Sequence, residues 1–280
     1  MVKIMADTST LYTPEQAKAQ GFTVVPLSVA LNGTTYRDLE EINGKAFCDK
    51  VRGDTAHHPI SSQPNVADLK AAYEALAPDD VLNITMADGL SGTYGTAVGV
   101  KSMLSEPERI TVLNSRTLCG PHRYLVDKAV QLAALGQSVK QILAGIRESL
   151  DSTRSFLIPQ DLGFLQRGGR LMPLAAHIGE LLHLIPVMVQ TSDGKRINRF
   201  SVTRTFSRAM KDVAANLCKQ GVNEKYMIYI SDADNGDWAR QAHEVLRSLF
   251  PTVQIERFAL SPAFVTQGGP GCVAIQTILK

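Results

Sequence analysis

Gly89-Leu90-Ser91-Gly92-Thr93 sets two hydroxyls between glycines where the apolar run Val81 to Met86 gives way to helical spacing at Ala97, Val100 and Leu104. A strand-to-helix junction of this kind exposes N–H groups with no partner inside the helix, at the positive end of the aligned peptide dipoles. It favours a carboxylate or a phosphate. Ser91 then has three readings: a hydroxyl that holds an anion, a nucleophile, or a turn serine that only caps its helix. Spacing counts against the nucleophile, because the Gly-x-Ser-x-Gly elbow needs a residue between the serine and the second glycine, whereas Gly92 follows Ser91 directly. A hydrolase would also need a base from among His57, His58, His122, His177, His183 and His243, and no spacing brings one of them to Ser91.

Three further stretches carry chemistry-bearing residues. Ser61-Ser62-Gln63-Pro64 reads as a polar loop; alone it is a turn with a cap, and beside Ser91 and Thr93 it completes a cradle of uncharged donors for a carboxylate. Asp161 to Leu171 joins apolar residues to Gly168-Gly169 flanked by Arg167 and Arg170, which is either a tight turn with solvated arginines or part of a site. It is no phosphate loop, since Gly-x-x-x-x-Gly-Lys-Ser/Thr is absent. Gln267-Gly268-Gly269-Pro270-Gly271 is too glycine-rich for regular structure and is either a plain tight turn or a loop whose backbone approaches a ligand closely. His177 and His183 are six apart and fail the His-Glu-x-x-His spacing, so neither a metal nor any other cofactor is expected.

The elements that position these residues follow from periodicity. Val2 to Ala6 predicts a short buried strand, and Val25, Leu27, Val29 and Leu31 at period two lead into Asn32-Gly33, a hairpin signal. Asn65 caps a helix bearing Val66, Leu69, Tyr73 and Leu76. After Ile110 to Leu113, a strand, two helices run from Pro121 to a stop at Gly136 and onward from a cap at Ser138. Polar strand exits near residues 7, 88 and 114 suit a parallel α/β domain, whose ligand sites lie at the carboxyl ends of strands. A second half opens near Phe156, with a strand–turn–strand at Ile185 to Val202 around Asp193-Gly194 and helices at Phe206 to Leu217 and Trp238 to Leu249. Pro173 to Leu184 reads as an apolar helix, either core or one wall of a pocket. The expected fold is two packed α/β domains, residues 1–155 and 156–280.

A formal charge of +2 and scattered basic residues give no nucleic-acid footprint, and aromatic residues at 6% provide no platform for stacking bases. Four separated cysteines, without a Cys-x-x-Cys pair, argue for reduced thiols rather than zinc or a disulfide framework. No apolar run is long enough to span a bilayer, and an acid at Asp7 interrupts any leader-like start, so stable membrane insertion is not expected and the location is expected to be cytoplasmic.

Taken in order, the motifs resemble the DegV family of bacterial fatty-acid-binding proteins. Asp7-Thr8-Ser9, Ser61-Ser62-Gln63-Pro64, Leu90-Ser91-Gly92-Thr93-Tyr94, Asn114-Ser115, Leu165 to Leu171, Arg204 after the second hairpin and Gly269-Pro270-Gly271 each resemble a family motif, and together they cover nearly the whole chain. The resemblance implies a lipid pocket between or beneath the two domains and one long-chain fatty acid within it. It implies a carboxylate held by Ser61 or Ser62 and by Ser91, Gly92 and Thr93, with Gln267, Gly268, Gly269, Arg170 and Arg204 completing the ligand-binding set. It also implies a role as the lipid-carrying, non-catalytic subunit of a fatty acid kinase, whose nucleotide chemistry resides on a separate dihydroxyacetone-kinase-like partner. One departure stands out: Gln267 occupies the place where the family usually has histidine, so a different amphiphile is an alternative ligand.

Overall fold

The computed structural model describes residues 1–171 and 184–280, so the apolar run from Pro173 lies, except for Leu184, outside the described residues. The chain opens with β1 (Val2–Asp7), α1 (Pro14–Ala19), β2 (Thr23–Val25), β3 (Ser28–Leu31), β4 (Thr34–Arg37), α2 (Gly44–Gly53), β5 (Ile60–Ser62), α3 (Val66–Ala75), β6 (Asp80–Thr85), α4 (Thr93–Lys101) and β7 (Ile110–Asn114). Two sheets result. The first is parallel throughout, in the order β2-β1-β6-β7, and its strands end at Asp7, Thr85 and Asn114 on one edge. The second is a small antiparallel sheet, β4-β3-β5, whose hairpin turns at Asn32 and Gly33 with φ of 48° and 73°, the left-handed pair that a two-residue hairpin demands.

Two expectations are corrected here. The period-two run from Val25 to Leu31 is not one strand: Pro26, which has no N–H to give a ladder, separates β2 in the parallel sheet from β3 in the small one. Ser61 and Ser62 are not loop residues, because they pair with Val29 and Ser28 as the short edge strand β5.

Helices α5 (Cys119–Ala134) and α6 (Val139–Asp151) follow, the latter closed at its start by a reciprocal Ser138–Gln141 capping box. Next come β8 (Arg154–Ile158), α7 (Leu162–Gly168), β9 (Ile185–Gln190), β10 (Ile197–Thr203), α8 (Phe206–Lys219), β11 (Tyr226–Asp232), α9 (Gly236–Leu249), β12 (Gln254–Ala259), α10 (Pro262–Gly268) and β13 (Val273–Leu279). The third sheet runs β10-β9-β8-β13-β11-β12, with only β11 and β12 parallel. Side chains on a strand alternate between faces, and that alternation sorts the layers. Ile228, Ile230, Val273 and Ile275 bury against α8 and α9, whereas Met227, Tyr229 and Ile278 join Leu125, Val126, Ile142 and Ile146 of α5 and α6, together with Leu82 and Ile84 of the parallel sheet. The two large sheets therefore share one helical layer between them. Among the described residues, no helix is long and apolar enough to cross a membrane.

A single buried carboxylate ties the amino-terminal strands to α10. Ser261 makes no side-chain cap, and the free Ala263 N–H of the first turn donates instead to Asp38 Oδ1 at 3.0 Å. Asp38 Oδ2 accepts from Thr8 Oγ1 at 2.6 Å, and that same hydroxyl accepts from the Leu27 N–H at 3.1 Å. Asp38 is fully buried, and burial pushes its carboxyl up to about 6 despite these donors. The folded form thus binds this proton more tightly than the unfolded chain, so this group's contribution to stability is fully present below the ordinary carboxylate range and is lost as pH rises from about 4 to about 6. The loss is on the order of 3 kcal/mol. Urea unfolding midpoints across this interval should decline for the native chain and stay flatter for Asp38→Asn; an equal decline in both would show that another group carries the effect.

Candidate functional site

The parallel strands deliver their ends to one place. Asp7 at the end of β1 accepts from the Ser9 N–H at 2.9 Å and from the Met86 N–H at 3.0 Å, which fixes the start of the loop after β6. Ala87 O then accepts from the N–H groups of Leu90 and Ser91, closing a turn that aims Ser91 at a cavity. Ser91 Oγ lies 2.8 Å from Thr93 Oγ1 and accepts from the Thr93 N–H at 3.3 Å. Gly92 caps α4 without a side chain, and no acid sits in that helix's first turn. The positive end of α4 is left for an external acceptor. The bare Gly92 also leaves room for the Gln63 amide, whose Oε1 would lie 2.9 Å from a Cβ at this position and whose Nε2 reaches across to Thr96 Oγ1 at 3.3 Å.

The cavity beneath Ser91 is walled by apolar side chains from both halves, among them Leu27, Met86, Leu90, Leu157, Leu165, Met188 and Phe264. Ser61 and Ser62 of β5 line it, as do Gln267 and Gly268 of α10. Gln267 and Gly268 are helical, contrary to the predicted glycine-rich loop. Ser261-Pro262 is a helix-start pair, and the glycine run begins only in the last turn, where Gly269 with φ of 76° ends the helix. Gln267 Nε2 points at Thr266 Oγ1 (3.2 Å) and Ser61 Oγ (3.4 Å), bridging the two halves at the polar end.

Arg170 is the one charged side chain among the described lining residues. The left-handed Gly169 that closes α7 turns the chain so that Arg170 Nε donates to Leu90 O at 3.1 Å and Nη1 donates to Gly168 O. It holds the Ser91 loop from the opposite half and places a positive charge beside it. The β9–β10 hairpin braces the same loop through Lys195 Nζ, 3.5 Å from Asp88, and reaches the turn after β7 through Gln190 Nε2, which donates at 3.1 Å to Arg116 O as well as to Gly194 O.

The structure thus brings Ser61, Ser62, Ser91, Gln267, Gly268 and Arg170 to one cavity, with Gly92 and Thr93 directly behind Ser91. Gly269 backs onto the Phe164 ring rather than the cavity, and Arg204 is exposed just past β10, outside the lining. Gln190 and Gln276 line the cavity and escaped the sequence reading, although a glutamine within an apolar strand is a visible oddity. Gln276 is fully committed, donating to Ser155 Oγ (2.9 Å) and Leu118 O (3.0 Å) and accepting from the Gly120 N–H (3.3 Å). His122, fully buried, donates from Nε2 to Ile84 O and accepts from Ser9 Oγ at 2.6 Å, so its burial-lowered pKa belongs to a structural pair outside the cavity. No group of three or more metal-ligating side chains occurs among the described residues.

Hydroxyls and an amide thus stand over an apolar cavity within a mixed α/β fold. The chain belongs to the DegV family: the model described as "Uncharacterised protein, DegV family" matches residues 1–280. A DegV domain-containing protein of Listeria monocytogenes is 30% identical across 97% of this chain and 96% of its own length, and Protein DegV of Bacillus subtilis is 29% identical across 95% of each. Among solved structures, a DegV family protein from Thermus thermophilus described for its fatty acid binding superposes with a TM-score of 0.88 at 27% identity, covering 100% of this chain and 99% of that one. DegV of Bacillus subtilis, described as a fatty acid binding protein, gives 0.85 at 27% identity with the same coverage.

Gly89 offers a test of the brace. A Cβ at this position would collide with the Lys195 backbone, so Gly89→Ala must lift the β9–β10 hairpin from the loop, at a cost of about 1–3 kcal/mol. Denaturant unfolding reads the loss, and an unchanged midpoint would show that the hairpin does not rest on the Ser91 loop.

Proposed function

We propose that this protein binds one long-chain fatty acid, burying the acyl chain in the apolar cavity and holding the carboxyl end at Ser91, Ser61 and Gln267. The observation that carries the reading is the pairing of one continuous apolar cavity with a polar end built from both halves. Burial of each methylene is worth about 0.8 kcal/mol, so an acyl chain supplies the affinity and the hydroxyls need only fix its register. Relatives described as fatty-acid-binding support the reading. On the two-domain division near residue 155, the first part contributes the hydroxyls and the second contributes Leu157, Leu165 and Met188 as walls.

The finer proposal is that the held carboxyl is presented for phosphorylation to a separate dihydroxyacetone-kinase-like subunit. Ser62, Gln63 and Gly92 are exposed, so the polar end of the cavity lies near the surface where a partner can reach it. A serine hydrolase finds less support, because Ser91's hydroxyl partner is Thr93 and no histidine lines the cavity among the described residues.

Native mass spectrometry of gently purified protein should show a co-purified acyl chain, and delipidated protein should take one up on titration. A clean apo mass without uptake would refute lipid binding. Ser91→Ala should weaken fatty acid binding by roughly 1–3 kcal/mol, as when a buried acceptor loses its donor. Unchanged affinity would remove Ser91 from the site. Acyl phosphate should form only when the loaded protein, a matching kinase subunit and ATP are combined; its formation without the kinase would contradict the division of labour.

A further inference from the structure

The sheet face that walls the cavity carries its apolar and polar side chains in separate rows. Leu157 of β8 stands opposite Met188 of β9 and Ala274 of β13, an apolar row. Two residues along the strands the same face bears Gln190, Ser155 and Gln276, and all three line the cavity. The Gln276 amide is oriented by two backbone groups of opposite kind, the Leu118 carbonyl and the Gly120 N–H, so its Nε2 donates to Ser155 Oγ. Ser155 therefore accepts there, and its own proton has no acceptor among the described residues. The Gln190 amide is oriented by two carbonyls: Nε2 gives one proton to Arg116 O and one to Gly194 O, which leaves Oε1 as a free acceptor. Ser155 keeps 8% and Gln190 9% of its surface open, on the face that looks into the cavity. No hydrogen bond links this row to Ser61, Ser91 or Gln267, so it is a second polar point, separate from the carboxyl end.

We propose that Ser155 and Gln190 take a hydroxyl carried on the acyl chain, so that the preferred ligand is a hydroxylated long-chain fatty acid. This rests on the lipid-binding reading and deepens it by naming the substrate class. A hydroxyl is both donor and acceptor: it takes the Ser155 proton on a lone pair and gives its own to Gln190 Oε1. A plain methylene answers neither group and, once it displaces water, leaves both unpaired. A site built to hydrogen-bond a hydroxyl discriminates for that reason against the analogue that lacks one. The row is neutral, and the charges nearest to it are engaged elsewhere, Arg116 with Asp151 and Lys195 with Asp88. It therefore does not compete for the carboxylate, which stays at the Ser91 end beside Arg170.

Isothermal titration of delipidated protein compares octadecanoate with a series of hydroxyoctadecanoates in which the hydroxyl moves along the chain. The native chain should bind isomers in one narrow span of positions about fivefold more tightly than octadecanoate, the gain of one net hydrogen bond. Isomers outside that span should bind more weakly than octadecanoate, because their hydroxyls are buried among apolar walls. Ser155→Ala removes the donor while Gln276 keeps its bonds to Leu118 and Gly120, and it should abolish the preference within the span. If the native chain binds no isomer more tightly than octadecanoate, the pair holds water instead and the proposal falls, while the lipid reading stands. A preference that survives in Ser155→Ala overturns the proposal as well. Binding of no member of the series, octadecanoate included, would overturn the lipid reading itself and this proposal with it.

Discussion

Asp38 is the contact on which the site depends. It is a carboxylate with no solvent access, and it joins Thr8 at the end of β1 to the first turn of α10, the helix that carries Gln267. Burying a charge is expensive unless hydrogen bonds compensate, so a carboxylate in this position commits its surroundings to one arrangement. The serines approach from one direction, on β5 and on the loop after β6. Gln267 approaches from the other, and Asp38 sets the distance between them. Helix α10 has only seven residues and no side-chain cap of its own, so its orientation depends on this external acceptor.

The remaining positions follow from layering. The shared α5 and α6 layer locks the parallel sheet to the larger mixed sheet through one core, with Gly120 set against the Tyr229 ring where no Cβ would fit. The polar ends of the parallel strands are thereby held over the face that bears Leu157 and Met188. The cavity is apolar below and lined with donors at its rim. Arg170 and the β9–β10 hairpin then hold the Ser91 loop from the opposite half, so residues far apart in the chain meet.

Much of this was legible in the sequence because it is local. The Asn32-Gly33 hairpin, the caps at Asn65 and Ser138 and the apolar faces of α8 and α9 each depend on residues within a few positions of one another. The ordered motifs also pointed to Ser61, Ser91, Gln267 and Arg170, which the fold brings to one cavity. What stayed hidden is non-local or masked by composition. Asp38 follows Tyr36-Arg37 in a polar stretch and reads as a solvated acid; only its partners, 30 and 225 positions away, reveal it. Helix α10 was obscured by the glycines after it, although Ser261-Pro262 announced its start. Strand β5 is three residues long and half hydroxyl, so its pairing with β3 has no periodic signature.

The central claim is that an acyl chain lies in the cavity formed by both halves, under the Ser91 loop. Met86 from the first half and Met188 from the second both line that cavity, so their methyl groups are internal reporters. The decisive measurement is an isotope-filtered NOE spectrum of protein carrying 13C-labelled methionine methyls with an unlabelled long-chain fatty acid. The account predicts cross-peaks from acyl methylenes to the methyls of both Met86 and Met188. Binding that yields no contact with either methyl would place the lipid elsewhere and contradict it.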